Sequence, residues 1–258
     1  MKKDEIEAVR KACRATADVL DYLTPFVKPG VTTNGLDVLA FNFIVDHGGV
    51  PANLGYKGFP ASLCTSVNDV IAHGIPSDYE LKDGDIMNID VAVKLHGYFG
   101  DASRMFCIGN VSAIAQTLVD ETRNALWRAI YEVHPKKHIG DIGAVIMEHA
   151  RQFNFGVVAN YSGHGVGKMY HQSPEVPHVG LKKSGAIIKA GTIFTIEPML
   201  NIGAGANHVL DDNWTVVTND GSLSAQWEHT LLVTNKGFEI LTLGANEEIP
   251  EKSTLMNE

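Results

Sequence analysis

The sequence predicts an α+β fold built from two related halves, each a pair of helices followed by β-strands. Three observations carry this reading. Helix-like apolar periodicity occurs in two pairs, over 6–23 and 34–46 and again over 113–131 and 139–153, with a proline-containing break inside each pair. Short β-rich runs lie between and after the pairs. Finally, Gly84-Asp85-Ile86-Met87-Asn88-Ile89-Asp90 aligns with Gly191-Thr192-Ile193-Phe194-Thr195-Ile196-Glu197 at an offset of 107 residues, and Val27-Lys28-Pro29 aligns with Val133-His134-Pro135 at 106. A duplication of this kind gives one domain over 1–258, with halves of about 6–110 and 111–241, and puts Asp90 and Glu197 at equivalent positions near a pseudo-twofold axis.

In the first helix Ile6, Val9, Cys13, Val19, Leu20 and Leu23 fall on one face, and the segment from Pro25 to Gly30 ends it. Lys2, Lys3, Arg10, Lys11 and Arg14 interleave there with Asp4, Glu5 and Glu7, as on a solvated helix face. His47-Gly48-Gly49 closes the second helix. The 25 glycines favour a loop-rich α+β or α/β architecture over a helical bundle, and the 10 prolines are too few for long disordered linkers.

A chain of 258 residues that is 45% hydrophobic can bury a substantial core. With 30 Asp and Glu against 21 Lys and Arg, its field repels nucleic-acid phosphates, so no nucleic-acid specificity is expected. Cys13, Cys64 and Cys107 are odd in number and form no CxxC pair, which indicates neither a disulfide framework nor a structural zinc knot. Met1 leads into a charged amphipathic segment, and no apolar run is long enough to span a bilayer. A soluble, cytoplasmic protein with no membrane partner is expected.

Four acids stand in apolar surroundings. Asp90 lies in Ile86-Met87-Asn88-Ile89-Asp90-Val91-Ala92-Val93, a near-continuous apolar run of the kind found in covered strands. Asp101 follows in Tyr98-Phe99-Gly100-Asp101-Ala102-Ser103, and Lys94-Leu95-His96-Gly97 reads as a hairpin turn. A two-residue loop at Leu95-His96 sets Asp90 directly opposite Asp101, with Gly97 or Gly100 able to shift the register through a bulge. Facing carboxylates need a shared proton or a cation between them. Glu197, in Ile193-Phe194-Thr195-Ile196-Glu197-Pro198-Met199, and Glu228, in Ala225-Gln226-Trp227-Glu228-His229-Thr230, are expected inside apolar strands with the same need.

No set of basic residues is placed to pair with all four acids, so a divalent metal is the better answer for the set. His164, in Ser162-Gly163-His164-Gly165, is the candidate fifth ligand, although a histidine in a glycine loop also suits a plain turn. Two divalent ions offset the four carboxylates charge for charge, and the oxygen-rich donor set suits a two-metal hydrolase rather than a thiolate zinc site. Oxygen and imidazole ligands accept manganese, iron, cobalt or zinc, so the metal's identity stays open.

The ordered motifs Asn-Ile-Asp-Val at Asp90, Gly-Asp-Ala-Ser at Asp101, Gly-His-Gly at His164, Thr-Ile-Glu-Pro-Met at Glu197 and Gln-Trp-Glu-His-Thr at Glu228 resemble the type I methionine aminopeptidases. The similarity extends from about Ile6 to Leu241. It implies the pita-bread fold, two divalent metals bridged by Asp101 and Glu228, Asp90 completing one site, and His164 with Glu197 completing the other. It implies hydrolytic removal of the initiator methionine from nascent polypeptides by a metal-bridging hydroxide, with a small second residue preferred and Glu197 shuttling the proton.

His73, in Ala72-His73-Gly74, resembles the family residue that meets the substrate near the scissile amide, and His171 the one that contacts the scissile carbonyl. Tyr56, Phe59, Cys64, Tyr170 and Trp214 correspond to the methionine pocket, while Asn53 stands where a cysteine is common in bacterial members. The resemblance also implies a monovalent cation near Asn68, Val70 and Ser224. A monomer is expected, and any ribosome contact would rest on the body of the domain. Rival readings are a proline-specific aminopeptidase or prolidase of the same fold, which usually carries an extra N-terminal domain, and a silent pita-bread binding protein, which would have lost ligands.

Overall fold

The computed structural model describes residues 1–256. In chain order it contains α1 (Lys3–Leu23), α2 (Thr33–Asp46), β1 (Val50–Pro51), β2 (Cys64–Val67), β3 (Val70–Ala72), β4 (Ile86–Leu95) and β5 (Tyr98–Cys107). There follow α3 (Ala113–Ile130), α4 (Ile139–Gln152), β6 (Gly156–Val157), β7 (Ser162–Gly165), β8 (Gln172–Pro177), β9 (Ile193–Ile196) and β10 (Met199–Asn201). The chain continues with β11 (Asn207–Val209), β12 (Val216–Thr218), β13 (Ser224–Gln226), β14 (His229–Val233), β15 (Phe238–Ile240) and α5 (Lys252–Met256).

The four long helices agree with the expected segments to within three residues at each end. Local chemistry sets several of these ends. In α2 the Thr32 hydroxyl accepts the Gly35 N–H at 3.1 Å, and in α3 Ser112 accepts that of Ala115 at 3.3 Å, each satisfying a donor that the first helical turn leaves free. Beyond α1 the chain tightens into a short 3₁₀ turn that contains Pro25. Val9, Cys13, Val19, Leu20 and Leu23 are buried on the inner face of α1, as their spacing requires.

All sheet pairing is antiparallel. In the first half β4 pairs with β1 and β2 and with β5, while α1 packs on β4 and β5. In the second half a five-stranded sheet runs β15-β14-β9-β7-β8, and β13-β10-β6 forms a smaller sheet packed under α3. The halves are stitched together at β3 with β12, and at a bridge in which the Glu228 N–H donates to the Ser103 carbonyl at 3.2 Å. One large core gathers Trp127, Ile130, Ile142, Phe194 and Leu231, and another gathers Leu20, Leu36, Ile44, Met87 and Ile89. Each such side chain contributes about 1.5–3 kcal/mol by leaving water. Among the described residues no helix is long and apolar enough to cross a membrane.

The hairpin register differs from the expected one. Leu95 pairs with Tyr98 and the two-residue loop is His96-Gly97, so Asp101 faces Ala92 and Asp90 faces Ser103. The loop centre moves because a tight hairpin needs positive φ at both central residues, which His96 (φ 50°) and Gly97 (φ 84°) supply and Leu95 would resist. Asp90 and Asp101 are therefore diagonal neighbours on one face of the hairpin. The other acids are also displaced from the expected strand interiors. Glu197 is the first residue beyond β9, and Glu228, in the stretch between β13 and β14, forms an isolated bridge with Ser103.

At Gly100 a Cβ would lie 2.5 Å from the Cys13 N and Cα atoms, so α1 rests directly on the backbone of β5 beside Asp101. Gly100→Ala is expected to destabilise the protein by at least about 2 kcal/mol, because the obstruction is backbone and cannot turn aside. Urea unfolding tests this, and an unchanged midpoint would mean that α1 shifts freely.

Candidate metal centre and substrate cavity

Three strands and two strand ends bring the five candidate ligands to one cavity, where Asp101, His164 and Glu228 form the tight cluster and Asp90 and Glu197 stand outside it. Asp101 on β5 and His164 on β7 approach with Oδ2 and Nε2 3.3 Å apart, and Glu197 Oε1 lies 3.7 Å from the same nitrogen. One ligand atom each from Asp101, His164 and Glu228 falls within a 4.8 Å cluster. His164 sits on a strand rather than in a glycine loop, and its neighbours explain why. A Cβ at Gly163 would be 2.3 Å from the Thr195 carbonyl oxygen, and one at Gly165 would be 2.2 Å from that of Ser173. The glycines let β7 press between β8 and β9.

Hydrogen bonds to the surrounding residues fix the candidate ligands. The Thr195 hydroxyl accepts the His164 N–H at 2.9 Å and donates to Glu197 Oε1 at 2.7 Å, tying two ligands through one side chain. Gln226 Nε2 reaches Glu197 Oε2 at 3.4 Å. The Glu197 N–H donates to Nε2 of the fully buried His178 at 3.3 Å. Burial holds His178 down at about 3, so its ring is a neutral acceptor there.

Electrostatically the cluster is unbalanced. Burial, then the charges of its acidic neighbours, push the carboxyl groups of Asp90 and Glu228 well above the usual carboxylate range. Burial likewise raises Glu197 to about 7, against the opposing pull of His164. For His164, burial disfavours the charge, but Asp101 and Glu197 outweigh it and raise the imidazole to about 9. Asp101 Oδ1 and Glu228 Oε1 are buried without a hydrogen-bond partner among the protein groups. Orphaned carboxylate oxygens beside an imidazole are the donor set that divalent cations take, so the residues present fit such ions. Since a cation must displace the protons held at Glu197 (about 7) and His164 (about 9), metal uptake is expected to release protons and to strengthen as pH rises from about 6 to about 9. Calorimetry in buffers of different ionisation enthalpy reads this directly; uptake without proton release at any pH would contradict it.

The five candidate ligands open onto a cavity of about 360 Å³, and the candidate catalytic and methionine-pocket residues line it too: Tyr56, Phe59, Cys64, His73, Tyr170, His171 and Trp214, together with Asn53. The His171 ring lies 4.0 Å from that of His164 and 5.1 Å from Tyr56. Phe59 and Trp214 meet edge to face at 5.1 Å, with His73 6.0 Å from Trp214. His73 is held at φ 56°, and Gly74 follows it where a Cβ would meet the Thr65 carbonyl oxygen at 2.1 Å. Lys57, Asn160, Ser162, Met199 and Gln226 also line the cavity and were not among the sequence candidates. Thr195 was legible in principle, being two residues before Glu197 on the same strand face. His178 was not, because only the tertiary fold brings it to Glu197. Away from the cavity, the Asn68 carbonyl accepts the Ser224 N–H at 2.8 Å, Ser224 Oγ is buried without a partner, and Val70 opens β3 nearby.

Comparison with known proteins identifies the family. Residues 7–235 match the model of metallopeptidase family M24. The chain is 48% identical to the methionine aminopeptidase of Rickettsia prowazekii over 244 residues, covering 94% of this chain and 93% of the relative. It is 44% identical to that of Escherichia coli K12 over 249 residues, covering 96% and 94%. The crystal structure of the Rickettsia prowazekii methionine aminopeptidase superposes with a TM-score of 0.93 at 46% identity, covering 94% of this chain and 98% of that one. With this fold and these identities over nearly its whole length, the chain belongs to the methionine aminopeptidases of metallopeptidase family M24, metal-dependent aminopeptidases of the pita-bread fold.

Proposed function

We propose that the chain acts as a single catalytic domain over 1–258, with halves of about 6–110 and 111–241, and releases the initiator methionine from nascent polypeptides whose second residue is small. The observation that carries the reading is the convergence of Asp90, Asp101, His164, Glu197 and Glu228 on the same cavity as an aromatic and thiol lining. In this reading Asp101 and Glu228 would be shared by two divalent cations, Asp90 would complete one site, and His164 with Glu197 would complete the other. When bound, such cations supply Lewis acidity at the scissile carbonyl and lower the pKa of water.

The remaining work falls to the chain's own groups. Tyr56, Phe59, Cys64, Tyr170 and Trp214 enclose the methionine side chain, whose polarizable thioether packs well against rings and thiols. The substrate's α-amino group lies on the Asp90 side, which confines cleavage to the first residue. Glu197 takes the proton of the attacking water and passes it to the leaving amine, its Oε1 held by the Thr195 hydroxyl. Burial, and then the neighbouring His164 charge, lower His171 to about 4, while burial lowers His73. His171 is thus a neutral N–H donor for the tetrahedral oxygen and His73 a neutral partner for the scissile amide.

Also proposed are a monovalent cation at Asn68, Val70 and Ser224, monomeric action in the cytoplasm, and delivery of substrates from the ribosome. Protein stripped of metal and then reloaded with manganese, iron, cobalt or zinc should release methionine from Met-Ala-Ser and leave Xaa-Pro peptides intact. Cleavage of Xaa-Pro alone would instead make it a proline-specific enzyme, and no turnover of either would make it a silent binding protein.

A further inference from the structure

Asn53 is 4% exposed and lines the cavity beside Tyr56, Cys64 and Tyr170. Its amide orientation is set by its neighbours. Oδ1 accepts the Ala92 N–H at 3.2 Å and the Tyr170 hydroxyl at 3.0 Å, so that end of the group must be the oxygen. Nδ2 faces Cys64 Sγ at 3.6 Å, a weak acceptor that engages one of its two hydrogens. The second Nδ2–H has no acceptor recorded among the described residues. A buried donor left in this way is satisfied by whatever fills the cavity.

We propose that Asn53 is a specificity-determining residue whose second Nδ2–H donates to the side-chain heteroatom of the substrate's first residue. The proposal rests on the reading of this cavity as the methionine pocket. A pocket that works by apolar fit alone separates methionine from norleucine weakly, because sulfur and methylene are close in size and both are apolar. An amide donor changes the ranking. The thioether sulfur is a weak acceptor, an ether oxygen is a better one, and a methylene is none, so norleucine would leave the donor unpaired. Asn53 is also tied through Ala92 to the strand that carries Asp90, and through Tyr170 to the ring beside His171. The donor therefore sits on a rigid part of the site.

The test uses the metal-loaded enzyme and three peptides, Xaa-Ala-Ser with methionine, norleucine or O-methylhomoserine as Xaa. For the wild type, kcat/KM for norleucine is expected to fall about tenfold below that for methionine, with the ether analogue ahead of norleucine. Asn53→Leu, similar in size but without polar atoms, should bring the methionine-to-norleucine ratio to about twofold and move the ether analogue to last place. The substitution also removes the acceptor for the Ala92 N–H, so the wild-type substrate series stands as a second measurement if the variant does not fold. Equal cleavage of methionine and norleucine by the wild type with the ether analogue slowest, or an unchanged ratio in folded Asn53→Leu, overturns the proposal and leaves the aminopeptidase reading intact. No release from any of the three peptides by the wild type overturns both.

Discussion

Asp101→Asn and Glu228→Gln are each expected to strip the protein of its divalent metal and to lower kcat/KM by at least about 10³, while the chain stays folded. Both acids are almost fully buried, at 3% and 2% exposure, and each has one oxygen with no protein hydrogen bond. In the metal-free protein these oxygens stabilise nothing, and burial holds the Glu228 carboxyl well above its ordinary range. For Glu228→Gln an amide of the same shape therefore costs the empty fold little, and its melting temperature without metal should change only slightly, whereas Asp101→Asn also loses the charge that faces His164 Nε2 at 3.3 Å and should melt somewhat lower even without metal. With metal the comparison reverses. A ligand bound only by the folded state stabilises it by RT ln(1 + [L]/Kd), about 2.7 kcal/mol at a hundredfold excess over Kd, and the variants forfeit that increment. Metal content by mass spectrometry, melting with and without added metal, and turnover together decide the matter. A variant with full metal content and near-normal turnover would remove that acid from the proposed ligand set.

The helices were legible because their information is local. The spacing of Val9, Cys13, Leu20 and Leu23 and the break at Pro25 are enough to draw α1 and its end, whatever it packs against. The acids were legible as a set for a different reason, since carboxylates in apolar runs need compensation wherever the strands go. What the sequence could not convey was geometry set by backbone conformation and by contacts far apart in the chain. The hairpin loop lies one residue later than expected because positive φ suits His96 and Gly97 and not Leu95. The pairing sum shifts accordingly, and Asp90 and Asp101 become diagonal rather than facing. His164 reads locally as a turn residue between glycines, yet those glycines serve close strand packing against Thr195 and Ser173, which are 31 and 9 residues away along the chain. The support given by His178 to Glu197 leaves no trace in periodicity or spacing.

The last expectation concerns His171→Ala, which should lower kcat by about 10²–10³, change KM less than about threefold and leave metal content unchanged. His171 lies close to the metal cluster without belonging to it. Its ring is 4.0 Å from that of His164, but the ligand atoms that gather with His164 come from Asp101 and Glu228. It is wedged against Tyr56 at 5.1 Å and Tyr170 at 4.2 Å, so the ring is oriented before substrate arrives. Burial, followed by repulsion from the His164 charge, lowers it to about 4 and leaves it neutral at physiological pH. A neutral imidazole with a free N–H can donate to an oxygen that gains charge in the transition state, and that interaction is weaker in the ground state, so its loss appears in kcat. Truncation to alanine also opens a gap beside two aromatic rings, and loss of packing alone would appear mainly in KM. His171→Asn separates the two causes, because it keeps a donor while removing the ring. If donation is what matters, His171→Asn should recover at least about a tenth of the lost kcat relative to wild type, whereas recovery no better than alanine together with a large rise in KM would make His171 a wall of the pocket. Loss of metal from His171→Ala would assign it to the ligand set instead.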